Sequence, residues 1–347
     1  AEPAGPAAAV EVDAAGTPAL VETVGRDDPR LGLTAPPTDR ASAAAWAGFA
    51  DATVLTFPEA AEAGAPVRVR VAGAGRAEAG AQHILVVAEA GARGTVILEH
   101  VGRAALTETV EIRLGPGADL TVVSLQEWEP GGVHAGSHRA LVGRDAHLKH
   151  VVVTLGGDAV RIAPEVAFSG PGGDVEMLGL YLTDSGQHHE HRLFADHAQP
   201  RCRSRVAYKG ALQGANAHSV WIGDVLIRAA AHGTDTYELN RNLVLARGAR
   251  ADSVPNLEIE TGEIEGAGHA SATGRFDDQQ LFYLQSRGID PATARRLVVH
   301  GFFAELIGRI GVPDLAERLI ASVDARLAAA IDQADPDQRP KPVKENS

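Results

Sequence analysis

From Val67 onward the apolar residues come in short runs separated by glycine, aspartate and alanine turns. Val67-Arg-Val-Arg-Val alternates with period two, so its valines share one side of a strand. Ile84-Leu-Val-Val, Val96-Ile-Leu, Leu120-Thr-Val-Val and Val151-Val-Val are unbroken and β-branched, the pattern of strands buried on both sides. Less regular strands follow in Met177-Leu-Gly-Leu-Tyr-Leu, Ser219-Val-Trp-Ile-Gly-Asp-Val-Leu-Ile and Leu243-Val-Leu. Asn256-Leu-Glu-Ile-Glu is the last strand the pattern predicts.

A small unit recurs at the turns. Gly91-Ala92-Arg93-Gly94, Gly117-Ala118-Asp119-Leu120, Asp145-Ala146-His147-Leu148 and Gly172-Gly173-Asp174-Val175 place their second residues 26, 28 and 27 apart. A strand-and-turn repeat of this length predicts a solenoid, in which each coil covers the apolar face of its neighbour. A β-sandwich, with strands at similar intervals, is the competing architecture. Either way the chain is mainly β, and a solenoid would end in strand edges that need a cap or a partner.

After Gly274 the period becomes helical. Asp277 is placed as an N-cap with Gln280 in the reciprocal capping-box position, and Gly288 as a C-terminal stop. Asp290-Pro291 opens a second helix whose apolar residues are Ala294, Leu297, Val298, Phe302, Leu306 and Ile310. A third follows Pro313 with Leu315, Leu319, Val323 and Leu327 on one stripe. At the other end, residues 1 to about 25 are rich in Ala, Pro and Gly without a period and read as a poorly ordered leader, with a short helix over 41–52. The expected division is an N-terminal extension over 1–65, partly helical or disordered, a β core over 66–272, a C-terminal helical domain over 273–332 and a flexible tail over 333–347.

Composition narrows the function. Forty-five acidic against 32 basic side chains give a formal charge of -13, which opposes general binding to nucleic acid or an anionic membrane surface. There is no Walker-type phosphate loop and no Gly-x-Ser-x-Gly elbow, so neither a P-loop ATPase nor an α/β-hydrolase is indicated. The single cysteine, Cys202, excludes an intramolecular disulfide and any Cys-x-x-Cys motif, and a reducing, cytoplasmic compartment fits best. No run of eighteen apolar residues predicts a membrane span, and the first residues lack the pattern of a secretory signal.

The densest set of metal-capable side chains is His188, His189, Glu190, His191, Asp196 and His197. On a strand His189 and His191 share a face, so with Asp196 they could hold iron or zinc as in a stand-alone, cupin-like enzyme. The glutamate that usually follows such a pair is missing, and histidines satisfied by neighbouring coils are the competing reading. A β-helix carbohydrate-active protein would show clustered aspartates for calcium, which are not evident. Cys202 sits between Arg201 and Arg203, which would lower a thiol pKa if they stayed close, although a buried inert cysteine accounts for it equally well. His269, flanked by Gly268, is either a metal ligand or a cap at the start of the first C-terminal helix.

A series of motifs then occurs in one order. It comprises Gly179-Leu-Tyr-Leu, Gln187-His188, Asp196-His197-Ala198, Tyr208-Lys209-Gly210, Gly223, Thr234-Asp235, Asn240-Arg-Asn-Leu, Pro255-Asn-Leu-Glu-Ile, Gly268-His269-Ala-Ser-Ala-Thr-Gly and Leu281-Phe-Tyr-Leu-Gln-Ser-Arg-Gly-Ile. With these residues the sequence resembles the SufB/SufD family of iron-sulfur cluster assembly scaffolds, and within it the SufD branch. The resemblance implies a right-handed parallel β-helix between helical segments. It implies a SufB-like paralogue joined through the terminal strands, at Pro255, Asn256, Leu257, Glu258, Ile259 and Gly268. It also implies a SufC-like ABC-type ATPase on the helices, at Leu281, Phe282, Tyr283, Leu284, Arg287, Gly288, Phe302 and Glu305. A homodimer of the isolated chain is an alternative that the sequence leaves open. No cofactor is expected to be tightly bound by the chain alone; a transient iron or iron-sulfur cluster would form at the paralogue interface, with His269 in the ligand position. Many relatives carry a cysteine two residues before that histidine, where this chain has Ala267.

Overall fold

The structure, a computed structural model, describes residues 7–275 and 278–333. It is a parallel β-solenoid of about 8 turns with a C-terminal helical region. After β1 (Ala8–Asp13), β2 (Leu20–Gly25), α1 (Arg40–Gly48) and β3 (Asp51–Phe57), two long strands, β4 (Val67–Ala88) and β5 (Arg93–Leu114), each run along both faces. The chain then lays down β6 (Asp119–Trp128), β7 (Val133–Val142), β8 (His147–Thr154), β9 (Ala159–Phe168), β10 (Asp174–Thr183), β11 (His188–His197), β12 (Arg203–Leu212), β13 (His218–Ile227), β14 (Asp235–Val244), β15 (Arg250–Ile259) and β16 (Gly266–Arg275). Even-numbered strands from β6 to β16 stack on one face and odd-numbered strands from β7 to β15 on the other, with β5 joining them. Because strand side chains alternate, every second residue on each face points into a narrow lumen.

The corner repeat seen in the sequence has a backbone cause. Gly91, Gly117, Asp145, Gly172, Arg201 and Gly233 all have positive φ, so each coil reverses direction through a left-handed residue. Their N–H groups donate to the carbonyls of Pro116, Arg144, Pro171, Pro200, His232 and Glu263, one coil further on. The turns are therefore stitched together as the strands are, and the repeat length is the length of one coil.

Inside the lumen the large rings need relief. Tyr208 pairs with Gly179 and Tyr181 with Gly210 across β10 and β12. A Cβ at either glycine would lie 1.9 Å from the facing tyrosine ring, so each ring occupies the space its partner's missing side chain leaves. Both tyrosines are fully buried.

α2 (Asp278–Ser286), α3 (Pro291–Ile310) and α4 (Pro313–Gln333) complete the chain. α3 and α4 lie on the solenoid: Val299, Phe303, Leu306, Ile310, Leu319 and Val323 pack on the outer face of β5, β6, β8, β10 and β12 against Ile97, Leu125, Val153, Leu180 and their neighbours. Lys149 Nζ donates to the Arg309 carbonyl at 2.8 Å and Lys209 Nζ to the Phe302 carbonyl at 2.9 Å. Arg309 pairs with Glu176, and Arg318 with Glu99 and Glu127. The α4 stripe is the predicted one. On α3 the buried residues include Val299 and Phe303, whereas Leu297 is exposed; the adjacent apolar pairs at 298–299 and 302–303 leave the helical phase open in the sequence.

The stretch from residue 8 to 25, expected as leader, instead supplies β1, antiparallel to β4, and β2, antiparallel to β3. Val10 and Val12 pack against the lumen cluster although the surrounding Ala-rich composition conceals their alternation. Asp39 and Ser42 form a capping box that starts α1, and Arg161 pairs with Asp39 to hold this arm against the odd-numbered face. The predicted N-cap Asp277 and the tail beyond 333 lie outside the described residues.

Candidate functional site

The sequence pattern missed the final strand. Gly266–Arg275 is rich in Gly, Ala and Ser, with little to mark it as β, yet it pairs in full parallel register with β14. His269 therefore lies in the middle of a strand rather than at a helix start, which removes the capping role considered for it. Its register partner is Glu238. Paired residues of a parallel sheet point the same way, and Glu238 points into the lumen with 2% of its surface exposed. His269 thus faces inward at the open mouth of the solenoid, where it is exposed for want of a further coil.

Glu238 is the group the sequence reading passed over; its alternation with Thr236 and Asn240 was the available signal. Among the described residues neither carboxyl oxygen has a hydrogen-bond partner. Burial, reinforced by the nearby Asp224 carboxylate, pushes its pKa up to about 8, so it is a neutral acid at pH 7. It reaches across the lumen: a Cβ on Gly223 of β13 would lie 2.8 Å from Glu238 Oε1 and 2.4 Å from the Trp221 ring. Behind it, Asn240 Nδ2 donates to Tyr181 Oη at 3.0 Å and Asn242 Nδ2 to Asn240 Oδ1 at 2.7 Å and Thr273 Oγ1 at 3.4 Å. The Asn240-Arg-Asn motif is therefore an amide chain that links the inner coils to the terminal strand.

The residues expected at a paralogue interface lie on the two end strands. On β15, Pro255 and Leu257 share the register side of Gly223 and Val225, and Leu257, like Ala267, packs against the cluster of Ala195, Val225, Ile227 and Ala231. Asn256, on the other side, donates to Asp224 at 2.7 Å. Glu258 is exposed and Ile259 is 44% exposed, while Gly268 lies under the Tyr237 ring. Among the described residues β15 and β16 each have a solenoid neighbour on one side only, which leaves both edges open.

The helical residues divide. Leu281 lies within α2, and Phe282 and Tyr283 are 72% and 56% exposed on it. Leu284 is half-buried, Arg287 stacks on Tyr283, and Gly288, with φ 82, ends the helix. Phe302 is half-buried at the seam with the solenoid and Glu305 is exposed beside it, and both meet Lys209.

The stand-alone metal set does not assemble. His189 and His191 point into the lumen, fully buried, with Thr183 at 3.1 Å and Thr154 at 2.9 Å. Asp196 is an odd number of residues away, so it points outward, where Arg228 holds it through two hydrogen bonds. Burial lowers both histidines to about 3. Cys202 is likewise buried, and burial raises its thiol pKa despite the neighbouring Arg201.

The description of the SUF system FeS cluster assembly, SufBD core domain, fits residues 70–302, from the first long strand through Phe302. The chain belongs to the SufBD family. An iron-sulfur cluster assembly SufBD family protein of Mycobacterium tuberculosis is 54% identical over 312 residues, 88% of this chain and 79% of that protein. Its counterpart in Mycobacterium leprae is 52% identical over 312 residues, 88% of this chain and 80% of that protein. The iron-sulfur cluster assembly protein SufD of Escherichia coli is 28% identical over 250 residues, 71% of this chain and 58% of that protein, which supports the SufD branch. This SufBD protein is accordingly a component of iron-sulfur cluster assembly, and no described helix is long and apolar enough to cross a membrane.

Proposed function

We propose that this chain is a non-catalytic scaffold subunit that pairs with a SufB-like paralogue through β15 and β16, docks a SufC-like ATPase on its C-terminal helices, and offers His269 to iron or a nascent cluster at the paired mouth. The observation that carries this reading is the placement of an inward-facing imidazole at an open solenoid end, beside a buried carboxyl and on one of the two end strands. Imidazole is a suitable ligand for iron, and open edges favour strand addition by a second solenoid. Iron and sulfide are cargo here. With Ala267 in place of the cysteine many relatives carry, sulfur acceptance falls to the paralogue.

The seam suggests how nucleotide-driven movement would reach the mouth. Lys149, Lys209, Arg309 and Arg318 tie α3 and α4 to the outer face of the even-numbered sheet. An ATPase gripping α2 through Phe282 and Tyr283 would pull on that sheet, whose last two strands carry Glu238 and His269. Such coupling requires ATP-bound and ATP-free partners to bind different arrangements of the scaffold with different free energies.

Copurification tests the partnership. The wild-type chain is expected to bring down an ABC-type ATPase and a cysteine-bearing paralogue, and Phe282→Ala with Tyr283→Ala to lose the ATPase while keeping the paralogue. Retention of the ATPase would refute the docking site. Deleting α3 and α4 is the poorer test, because it uncovers the apolar face they protect. In isolation the same open edges are expected to pair two copies of this chain, giving a concentration-dependent homodimer by ultracentrifugation.

A further inference from the structure

Far from the mouth, the lumen holds a second concentration of ligand atoms. His100 and Glu108 lie on β5 and His134 and His138 on β7, all inward-pointing and at most 1% exposed. Six strand spacings separate β5 from β16, or about 29 Å at roughly 4.8 Å each. We propose that this cluster is a binding site for one divalent first-row transition ion, held by His100, Glu108, His134 and His138 and distinct from the His269 mouth.

The geometry suits a four-coordinate ion. His100 Nε2 is 3.0 Å from Glu108 Oε2, His134 Nε2 3.6 Å and His138 Nε2 3.9 Å. One ligand atom from each of His100, Glu108 and His134 can be chosen so that all lie within 4.8 Å of one another. Donors 2.0–2.2 Å from a tetrahedral ion are about 3.3–3.6 Å apart, so His100, Glu108 and His134 would draw together around the ion, with His138, outside that three-residue group, as the more distant fourth donor. Glu108 pairs with Gly136, midway between His134 and His138. A Cβ on Gly136 would be 3.0 Å from Ile162 Cδ1 and 3.4 Å from His134 Nε2, so a side chain there would crowd the donors.

The surrounding residues fix the tautomer of His134. Gln126 Oε1 accepts from Trp128 Nε1 at 3.0 Å and lies 2.7 Å from His134 Nδ1, which must therefore be the protonated nitrogen. His134 Nε2 then presents a lone pair toward Glu108 and has no hydrogen-bond partner. His138 Nδ1 is engaged with His150 Nε2 at 2.9 Å, and its Nε2 is also unpartnered. Orientation of a ligand imidazole through its far nitrogen is the usual support for a metal site.

The charge states agree. Burial alone would raise Glu108, but His100 beside it prevails and holds the carboxyl at about 2. Burial keeps His134 near 3 and His138 well below its ordinary value. A carboxylate with imidazoles and no thiolate selects a borderline cation such as Zn(II), Fe(II) or Co(II). Because the site is sealed, the ion would enter while the coils assemble.

The full-length chain should be produced in medium supplemented with zinc, iron or cobalt, desalted, and assayed for metal. The expected result is about one ion per chain, with visible ligand-field bands in the cobalt form. Glu108→Gln and His134→Gln, checked by circular dichroism, should lower the content at least tenfold, whereas His147→Ala, at an outward-facing and partly exposed position, should leave it unchanged. X-ray absorption of the wild-type protein, which needs no variant, should show a nitrogen and oxygen shell with imidazole scattering and no sulfur. Metal-free wild-type protein from all three media, undiminished metal in folded Glu108→Gln, or a sulfur shell would overturn the proposal; the first outcome would leave the cluster as a buried His100–Glu108 proton pair.

Discussion

His269 and Glu238 are register partners on the last two strands of one face, the imidazole exposed at the lumen mouth and the carboxyl sealed beneath it. The buried partner makes a pH prediction. Its pKa is about 8 in the folded chain against an ordinary 4.5, so between those values the folded state keeps a proton that the unfolded state has released. Stability from this group is fully present below about pH 4.5 and is lost as pH rises through 8. Replacing Glu238 with Gln should therefore give a stability advantage that grows across this window and levels off above it. Urea midpoints of both proteins at pH 5 and pH 9 check it; a constant difference would contradict the assignment.

The Tyr208 and Gly179 pair predicts a steric penalty. Gly179→Ala places a Cβ 1.9 Å from a ring sealed inside the lumen, and is expected to destabilise by about 1–3 kcal/mol. Combining it with Tyr208→Ala should cost less than the sum of the two changes, because the clash disappears with the ring. A denaturant double-mutant cycle gives the coupling directly.

Lys209 predicts a local effect. Its ammonium, buried to 7% exposure, bonds the Phe302 carbonyl and pairs with Glu305. Lys209→Met should keep most of the packing while removing both contacts, at a cost of about 1–3 kcal/mol. Hydrogen exchange should quicken along α3 and stay slow in β7 and β9 on the opposite face.

Leu319, fully buried where α4 meets the sheet, tests whether the helices belong to the solenoid. Leu319→Ala is expected to lower stability by about 2–5 kcal/mol in a single transition. A separate early transition of the helices alone would show that they unfold independently.

Much of this was legible in the sequence, for identifiable reasons. The corner unit repeats because one backbone conformation recurs at Gly91, Gly117, Asp145 and Gly172, and the α4 stripe has no competing apolar neighbours. Other features were concealed. β16 is built from small residues and is defined by its pairing with β14, which local composition does not encode. The convergence of His100 and Glu108 with His134 and His138 depends on the coil register, and that of His189 with Thr154 on the same stacking. The separation of Asp196 from His189 and His191, by contrast, followed from strand parity alone.

The central claim is that His269 serves the assembling cluster. The decisive measurement is iron-sulfur cluster formation by the complex of this chain with its paralogue and ATPase, comparing wild type with His269→Ala after size-exclusion shows equal assembly. A fall of at least tenfold in cluster yield with the complex intact is predicted; wild-type yield from the intact variant complex would contradict the account.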